Sequence, residues 1–538
     1  MPLDLIPCRA MPRPSGGRRR RLVWIVPVVV ALVLAAVAVK ALTGGPGDVS
    51  NTNVEFDTAP PVAPEPTTPE PKTTTSNAKD PFDDGFEWPM YGYTANRARY
   101  LPLSRDLRPP FNVRWRLTGS ILLEFPPVIC GRSMFLLKNN GALYALSRRT
   151  GKVRWKAKLG YLAASSPACS IKDGTVYVVL LSRGKGIKAG RVAAIASGSG
   201  RTRWSRKLPS RAESSPLLDS GRVYFGSEDG TIYSLDAANG NIVWTYKAGG
   251  AVKGGIALDG EGRLIFGDYG GHVTAIRRAD GHQLWKTGSA GGAFGLRSGN
   301  FYATPAIAYG RVYIGNTDGF VYSFSTRNGA LAWRHKTGGY VYSSPAISPV
   351  RGGTVYAGSY DGKLYAFDAR TGNVKWTHRS GGKISGAPVV VGDLVFYSNL
   401  SKHSTGAVGA ATGKLVWSIG RGAFNPVVSD GQRLYLLGFT TLYALGEEGR
   451  TASGTLTSAA RKHRSAHLAA VAKRRHERYL NARIAARRRA VARRLARRRA
   501  GQEVCFKAHG RTTCRVPRPP VCFKRPSDGR TVCRARKD

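Results

Sequence analysis

Eight tryptophans, Trp115, Trp155, Trp204, Trp244, Trp285, Trp333, Trp376 and Trp417, recur at intervals of 40, 49, 40, 41, 48, 43 and 41 residues. Such a period marks a chain built from copies of one small unit, none able to bury its apolar face alone. The copies share a phrase. Gly230-Thr-Ile-Tyr-Ser-Leu-Asp, then Asn239-Gly240 and Trp244, is echoed by Gly362-Lys-Leu-Tyr-Ala-Phe-Asp, then Thr371-Gly372 and Trp376. Apolar residues alternate within it as in a strand, and a strand pair precedes it, as in Ser215-Pro216-Leu-Leu with Arg222-Val-Tyr-Phe-Gly. Each copy therefore reads as four short strands. Asp229-Gly230, Asp318-Gly319 and Asp361-Gly362 suit hairpins that need positive φ, a role that absorbs many of the 65 glycines. Four-stranded antiparallel units of about 40–45 residues, set radially, bury both faces of every sheet against their neighbours, which is a β-propeller.

Strand counting fixes closure. Seven copies run from Pro127, Pro167, Pro216, Ile256, Pro305, Pro345 and Pro388 to a tryptophan, and an eighth starts at Pro426 but lacks one, while Trp115 is left over at the other end. Residues 113–117 are therefore expected to supply the outer strand of the last blade and close the ring. The expected fold class is all-β, an eight-bladed propeller of four-stranded antiparallel blades over 87–446, with the eight tryptophans packing between adjacent sheets. An N-terminal transmembrane helix, a basic C-terminal helix and a Cys-rich tail complete the chain.

Charge divides the remainder. The chain holds 82 Lys and Arg against 33 Asp and Glu, a formal +49, which excludes an acidic disordered solvator and favours polyanionic partners. Residues 1–21 form a basic cytoplasmic N-terminus ending in four arginines, and 22–42 hold an uncharged apolar run long enough to span a bilayer. A retained single-pass anchor in the cell membrane, with everything after it extracytoplasmic, is preferred to secretion after cleavage near Ala36-Val37-Ala38. Residues 43–86, Pro- and Thr-rich with eight acids, read as an extended spacer. Residues 447–500 are Ala- and Arg-rich and read as a basic helix with a narrow apolar stripe at Leu480, Ile484, Val491 and Leu495, suited to anionic lipid or wall polymer; nucleic acid is not the expected partner. In 501–538, Val504-Cys505-Phe-Lys and Val521-Cys522-Phe-Lys open two similar hairpins, and pairing Cys505 with Cys514 and Cys522 with Cys533 is the preferred one of three connectivities.

The segments from Ala145 through Thr150-Gly151 to Trp155 and from Ala366-Phe-Asp368 through Thr371-Gly372 to Trp376 resemble the docking motif of pyrroloquinoline quinone (PQQ) repeat propellers, a family that includes quinoprotein dehydrogenases and the assembly lipoprotein BamB. Trp88-Pro-Met-Tyr-Gly is similar to that family's lead-in. For the dehydrogenases the resemblance implies PQQ, calcium, adjacent cysteines and an aspartate base. This chain has no Cys-Cys pair and no carboxylate cluster outside the Asp-Gly turns, so no cofactor, catalytic residue or metal ligand is assigned. PQQ with calcium belongs only to the alternative reading as a quinoprotein oxidoreductase. Cys130 and Cys169, on successive inner strands, read as small buried residues with no bond assigned.

One alignment points to a site. Three residues before each blade's proline or its equivalent stand Glu124, Ala164, Glu213, Lys253, Tyr302, Tyr342, Ser385 and Ala423. Inner strands line the axis of a propeller, so Glu124, Glu213, Lys253, Tyr302, Tyr342 and Ser385 are candidate ligand-binding residues around one channel mouth, with Phe294 and Arg297 near it. The expected function is a non-catalytic binding or assembly scaffold in the cell envelope, holding an envelope protein or polysaccharide at the propeller.

Overall fold

The computed structural model describes residues 47–58, 82, 84–104, 106–289 and 299–447 in full, and four strands beyond residue 503 as backbone only. The chain divides into two units, 1–453 and 454–538. In the first, eight sheets form the propeller: the expected eight-bladed, all-β architecture with four antiparallel strands per blade. Blade 1 runs from Val128–Cys130 to Val153–Lys158, and the seventh ends at Leu415–Ile419. The eighth takes Val427–Ser429, Leu434–Leu437 and Leu442–Glu447 from the C-terminal side and Phe111–Leu117 from the N-terminal side, with Ala444 opposite Trp115.

The repeat phrase has a packing reason. In every blade the residue paired with the tryptophan is small: Ala145, Ala194, Ser234, Ala275, Ser323, Ala366, Ala407 and Ala444. The register slips just beyond each such pair. The indole then leans on the next blade, where a turn ending in a positive-φ glycine, preceded by Thr, Asn, Ser or Asp, receives it; a Cβ on Gly372, whose φ is +77°, would lie 2.6 Å from the Trp333 ring. Trp333 Nε1 donates to the Ala369 carbonyl at 3.0 Å and Trp155 Nε1 to Ser197 at 2.9 Å. Trp115 donates to Arg148 of blade 1 at 3.2 Å, so the ring is closed by the same contact that joins its interior blades. Trp417 faces a blade without such a turn and instead meets Phe111 edge-on at 5.3 Å.

Three segments differ from expectation. Within the stretch read as a spacer, Val49–Ser50 pairs with the outer strand of blade 5, Ser50 opposite Trp333, and Phe56 stacks on Tyr309 at 5.0 Å. Arg311, buried, binds the carbonyls of Val54 and Glu55. Residues 47–58 are thus docked rather than free. Asp84 is tied to the propeller as well, by an ion pair with buried Arg148 at 2.8 Å. Second, Cys130 and Cys169, to which the sequence assigned no bond, form a disulfide. One is the third residue of its inner strand and the other the second, as their places three residues after Pro127 and two after Pro167 also show. Their separation of 39 residues makes the crosslink worth about 4 kcal/mol in chain-entropy terms.

The third is the lead-in, which runs across the axis at the end where inner strands finish. Glu87–Trp88 pairs with the inner strand of blade 1, and Tyr100–Leu101 runs parallel to that of blade 7. Between them Cys169 N–H donates to Pro89, Leu258 to Ala95, Ile307 to Asn96, Ile347 to Ala98 and Val390 to Arg99. Arg97 and Arg99 both have positive φ, +59° and +54°, which turns successive carbonyls toward successive blades. The inner edges of blades 1, 2, 4, 5, 6 and 7 find backbone partners in this segment, and it plugs one end of the channel.

In the second unit, Val504–Ala508 pairs antiparallel with Arg511–Arg515, and Val521–Lys524 with Thr531–Arg534, placing Cys505 opposite Cys514 and Cys522 opposite Cys533. Opposed residues of antiparallel strands lie within disulfide-compatible Cα separations. The apolar run 22–42, Phe294, Arg297 and the basic helix expected in 447–500 lie outside the described residues, apart from Glu447. Among the described residues no helix is long and apolar enough to cross a membrane.

Candidate functional site

Blade topology decides which loops meet at the open mouth. In a four-stranded antiparallel blade, the connection entering the inner strand and the hairpin between the second and third strands share one face. Glu124, Glu213, Lys253, Tyr302, Tyr342 and Ser385 all lie on such entering connections, and all six line one cavity of about 60 Å³ at the axis. Ala164 and Ala423 are buried.

The floor is the plug. Tyr91 lines the cavity, its hydroxyl donating to Asn425 Oδ1 at 3.2 Å, and Arg99 lies over its ring at 4.7 Å. Arg97 is fully buried. Its Nε donates to Ile256 at 2.9 Å, Nη2 to Ser215 and Pro216 at 3.3 and 3.2 Å, and Nη1 to Tyr91, all backbone carbonyls. Burial pulls its pKa down to about 9, with Arg99 adding to the effect, so it remains a cation at neutral pH.

The wall has a charged arc and an aromatic arc. Lys253 Nζ is 2.7 Å from both Glu213 and Glu228. Burial opposes its charge, and the two carboxylates outweigh that, holding its pKa above the usual lysine value. Glu213 moves upward too, because burial of its carboxyl outweighs the bond from Lys253. Glu124 accepts from Asn139 Nδ2 at 3.1 Å. Across the mouth, Tyr302 meets Tyr342 edge-on at 5.6 Å, Tyr342 lies 5.0 Å from Tyr360, and Tyr269 lies 6.3 Å from Tyr302. Ser385 Oγ is 3.3 Å from the Tyr360 hydroxyl. Carboxylates, an ammonium and phenols so arranged can hydrogen-bond a polar, hydroxyl-bearing group and pack against its apolar face.

Glu213 makes the mouth pH-sensitive. Its folded pKa lies above the ordinary 4.5, so the folded protein holds that proton more tightly than the unfolded chain does, and stability falls as pH rises from about 4.5 through the raised value. Between pH 4.5 and 7, wild type should lose stability relative to Glu213→Gln in equilibrium urea unfolding. Parallel curves for the two proteins would show that Glu213 titrates alike folded and unfolded.

Sequence reasoning missed a second ring. Asn139, Glu228, Tyr269 and Tyr360 occupy one position of the hairpins between second and third strands, and each touches a member of the first ring. The signal was present: Glu228, Asn139 and Tyr360 each stand two residues before the glycine that makes the turn, and Tyr269 stands before a Gly-Gly pair. The glycine marks the hairpin tip, and the tip faces the mouth.

The residues do not fit the quinone of the alternative reading. A cavity of about 60 Å³ is less than half the roughly 150 Å³ that encloses a single benzene ring, and PQQ has three fused rings. The one disulfide among the described residues joins different blades, near the plugged end. Among those residues no three of His, Cys, Asp and Glu converge to hold a metal ion.

An eight-bladed ring in which seven of the eight tryptophans dock on the Gly turn of the next blade is a PQQ-type repeat propeller. The chain belongs to the family described as outer membrane protein assembly factor BamB, whose model matches residues 139–286 and 247–449, together more than half of it. Among solved structures it is similar to BamB from Moraxella catarrhalis, at 16% identity and a TM-score of 0.53 over 63% of this chain and 100% of that one. It is also similar to the quinohemoprotein alcohol dehydrogenase ADHIIG from Pseudomonas putida HK5, at 15% identity and a TM-score of 0.56 over 68% of this chain and 81% of that one. At such identity both likenesses speak of fold alone. No curated protein matches the chain.

Proposed function

We propose that this protein is a membrane-anchored, extracytoplasmic scaffold without catalytic activity, whose propeller mouth receives a polar group of an envelope protein or polysaccharide while the cationic tail contacts anionic lipid or wall polymer. One observation carries the reading: six side chains drawn from six different blades line a single plugged cavity whose chemistry is that of hydrogen bonding and aromatic contact. A scaffold needs a shaped, preformed polar cup, and both rings together provide one.

Capture from solubilised native envelope tests it. The triple variant Glu213→Ala, Lys253→Ala, Tyr342→Ala, folded as judged by circular dichroism, should lose at least about tenfold in recovery of the partners that wild type retains. Unchanged recovery removes the mouth from the function. Colour and reduction of an artificial acceptor after addition of PQQ and calcium would replace the scaffold with the oxidoreductase.

A further inference from the structure

The propeller's positive charge is concentrated on two of its eight blades. Residues 125–212 contain 18 Lys and Arg and a single acid, Asp173, whereas 213–446 contain 22 basic and 14 acidic residues. Twelve of those 18 cations are exposed. Five of them lie on the two adjacent outer strands, Arg154, Lys156 and Lys158 on Val153–Lys158 and Arg203 and Lys207 on Thr202–Lys207, and the other seven lie in the connections of the same two blades. Among the described residues none of these five has a carboxylate within ion-pair distance. Arg154 and Arg203 bond only to Ser133 and to the Gly174 carbonyl.

Protection of sheet edges against pairing is one general use of edge lysines, yet it does not account for this distribution. The outer strand of blade 7, Leu415–Ile419, is just as much an edge, carries no charge, and exposes Leu415 and Val416. Like charges crowded along two neighbouring strands without counter-ions repel one another, and an anionic partner relieves that repulsion.

We propose that the rim of blades 1 and 2 binds a linear phosphodiester polymer without bases, of the poly(glycerol phosphate) type. Arg154, Lys156 and Lys158 alternate along one strand at about 6.7 Å, twice the rise per residue, so successive phosphates of an extended chain can each meet a cation. Base stacking has no platform there: Trp155 and Trp204 are already docked on the next blade, with their Nε1 groups bound at 2.9 Å. A lipid surface is matched less well, since the cations cover the height of two strands rather than ringing one apolar tip. The rim is independent of the mouth, and neither proposal depends on the other.

The test is lysine-acylation footprinting of the full chain, read residue by residue so that the basic tail does not mask the rim. Poly(glycerol phosphate) at about 0.15 M salt should protect Lys156, Lys158 and Lys207 at least about threefold more than Lys247 and Lys286. The charge-reversed variant Arg154→Glu, Arg203→Glu should abolish that difference at Lys156 and Lys207. Uniform or absent protection overturns the proposal. So does stronger protection by oligothymidylate of equal phosphate number, which points to nucleic acid, or protection by phosphatidylglycerol vesicles alone, which points to the membrane.

Discussion

Replacing Trp333 with alanine is expected to cost about 3–5 kcal/mol, the usual range for removing a fully buried aromatic side chain. The same change at Trp155 should cost clearly less. The two indoles have equivalent places in their blades and equivalent hydrogen bonds, but Trp333 is fully buried whereas Trp155 is partly exposed. What differs is the cover. Ser50 pairs with Trp333, and Asn51 N–H donates to the Ala332 carbonyl at 2.7 Å, so the N-terminal segment seals the outer edge of blade 5 alone. Equilibrium urea unfolding of both variants decides the matter, and equal losses would mean that the docked segment adds no burial of consequence.

The second large effect belongs to the plug. Arg97→Met keeps most of the side-chain volume and removes every donor, leaving the carbonyls of Tyr91, Ser215, Pro216 and Ile256 buried without those partners. Each stranded polar group costs about 1–3 kcal/mol, so a total of at least about 3 kcal/mol is expected. Arg97→Lys should recover part of this, since an ammonium supplies fewer and shorter-reaching donors. A loss below about 1 kcal/mol for the methionine variant would show that the floor of the mouth is not held by this guanidinium.

The ring itself was legible because its cause is local and repeated. Each strand phrase, each turn glycine and each tryptophan says the same thing, and closure by Phe111–Leu117 follows from one missing and one surplus tryptophan. The first ring of mouth residues followed from spacing to the blade proline. The plug was not legible, since Arg97 and Arg99 are burying guanidiniums whose acceptors are backbone carbonyls of distant blades, and no side-chain pattern announces a carbonyl. The docked segment was hidden for another reason: Val49, Val54 and Phe56 are its only large apolar residues, set within an acidic, proline-rich stretch, and their contacts lie some 250 to 290 positions away. The mouth's second ring was readable but unread, because it requires following hairpin tips as well as strand entries.

Closure by strands from opposite ends of the sequence has a consequence for the order of synthesis. Phe111–Leu117 leaves the ribosome 325 residues before Leu442–Glu447 begins, an interval of roughly 15–65 s at ordinary elongation rates. Through that interval its hydrogen-bonding edge has no legitimate mate, while seven blades can each assemble from contiguous chain. The circle can therefore close only after the seven complete blades have been made, and the first blade strand synthesised is the last to find its partner.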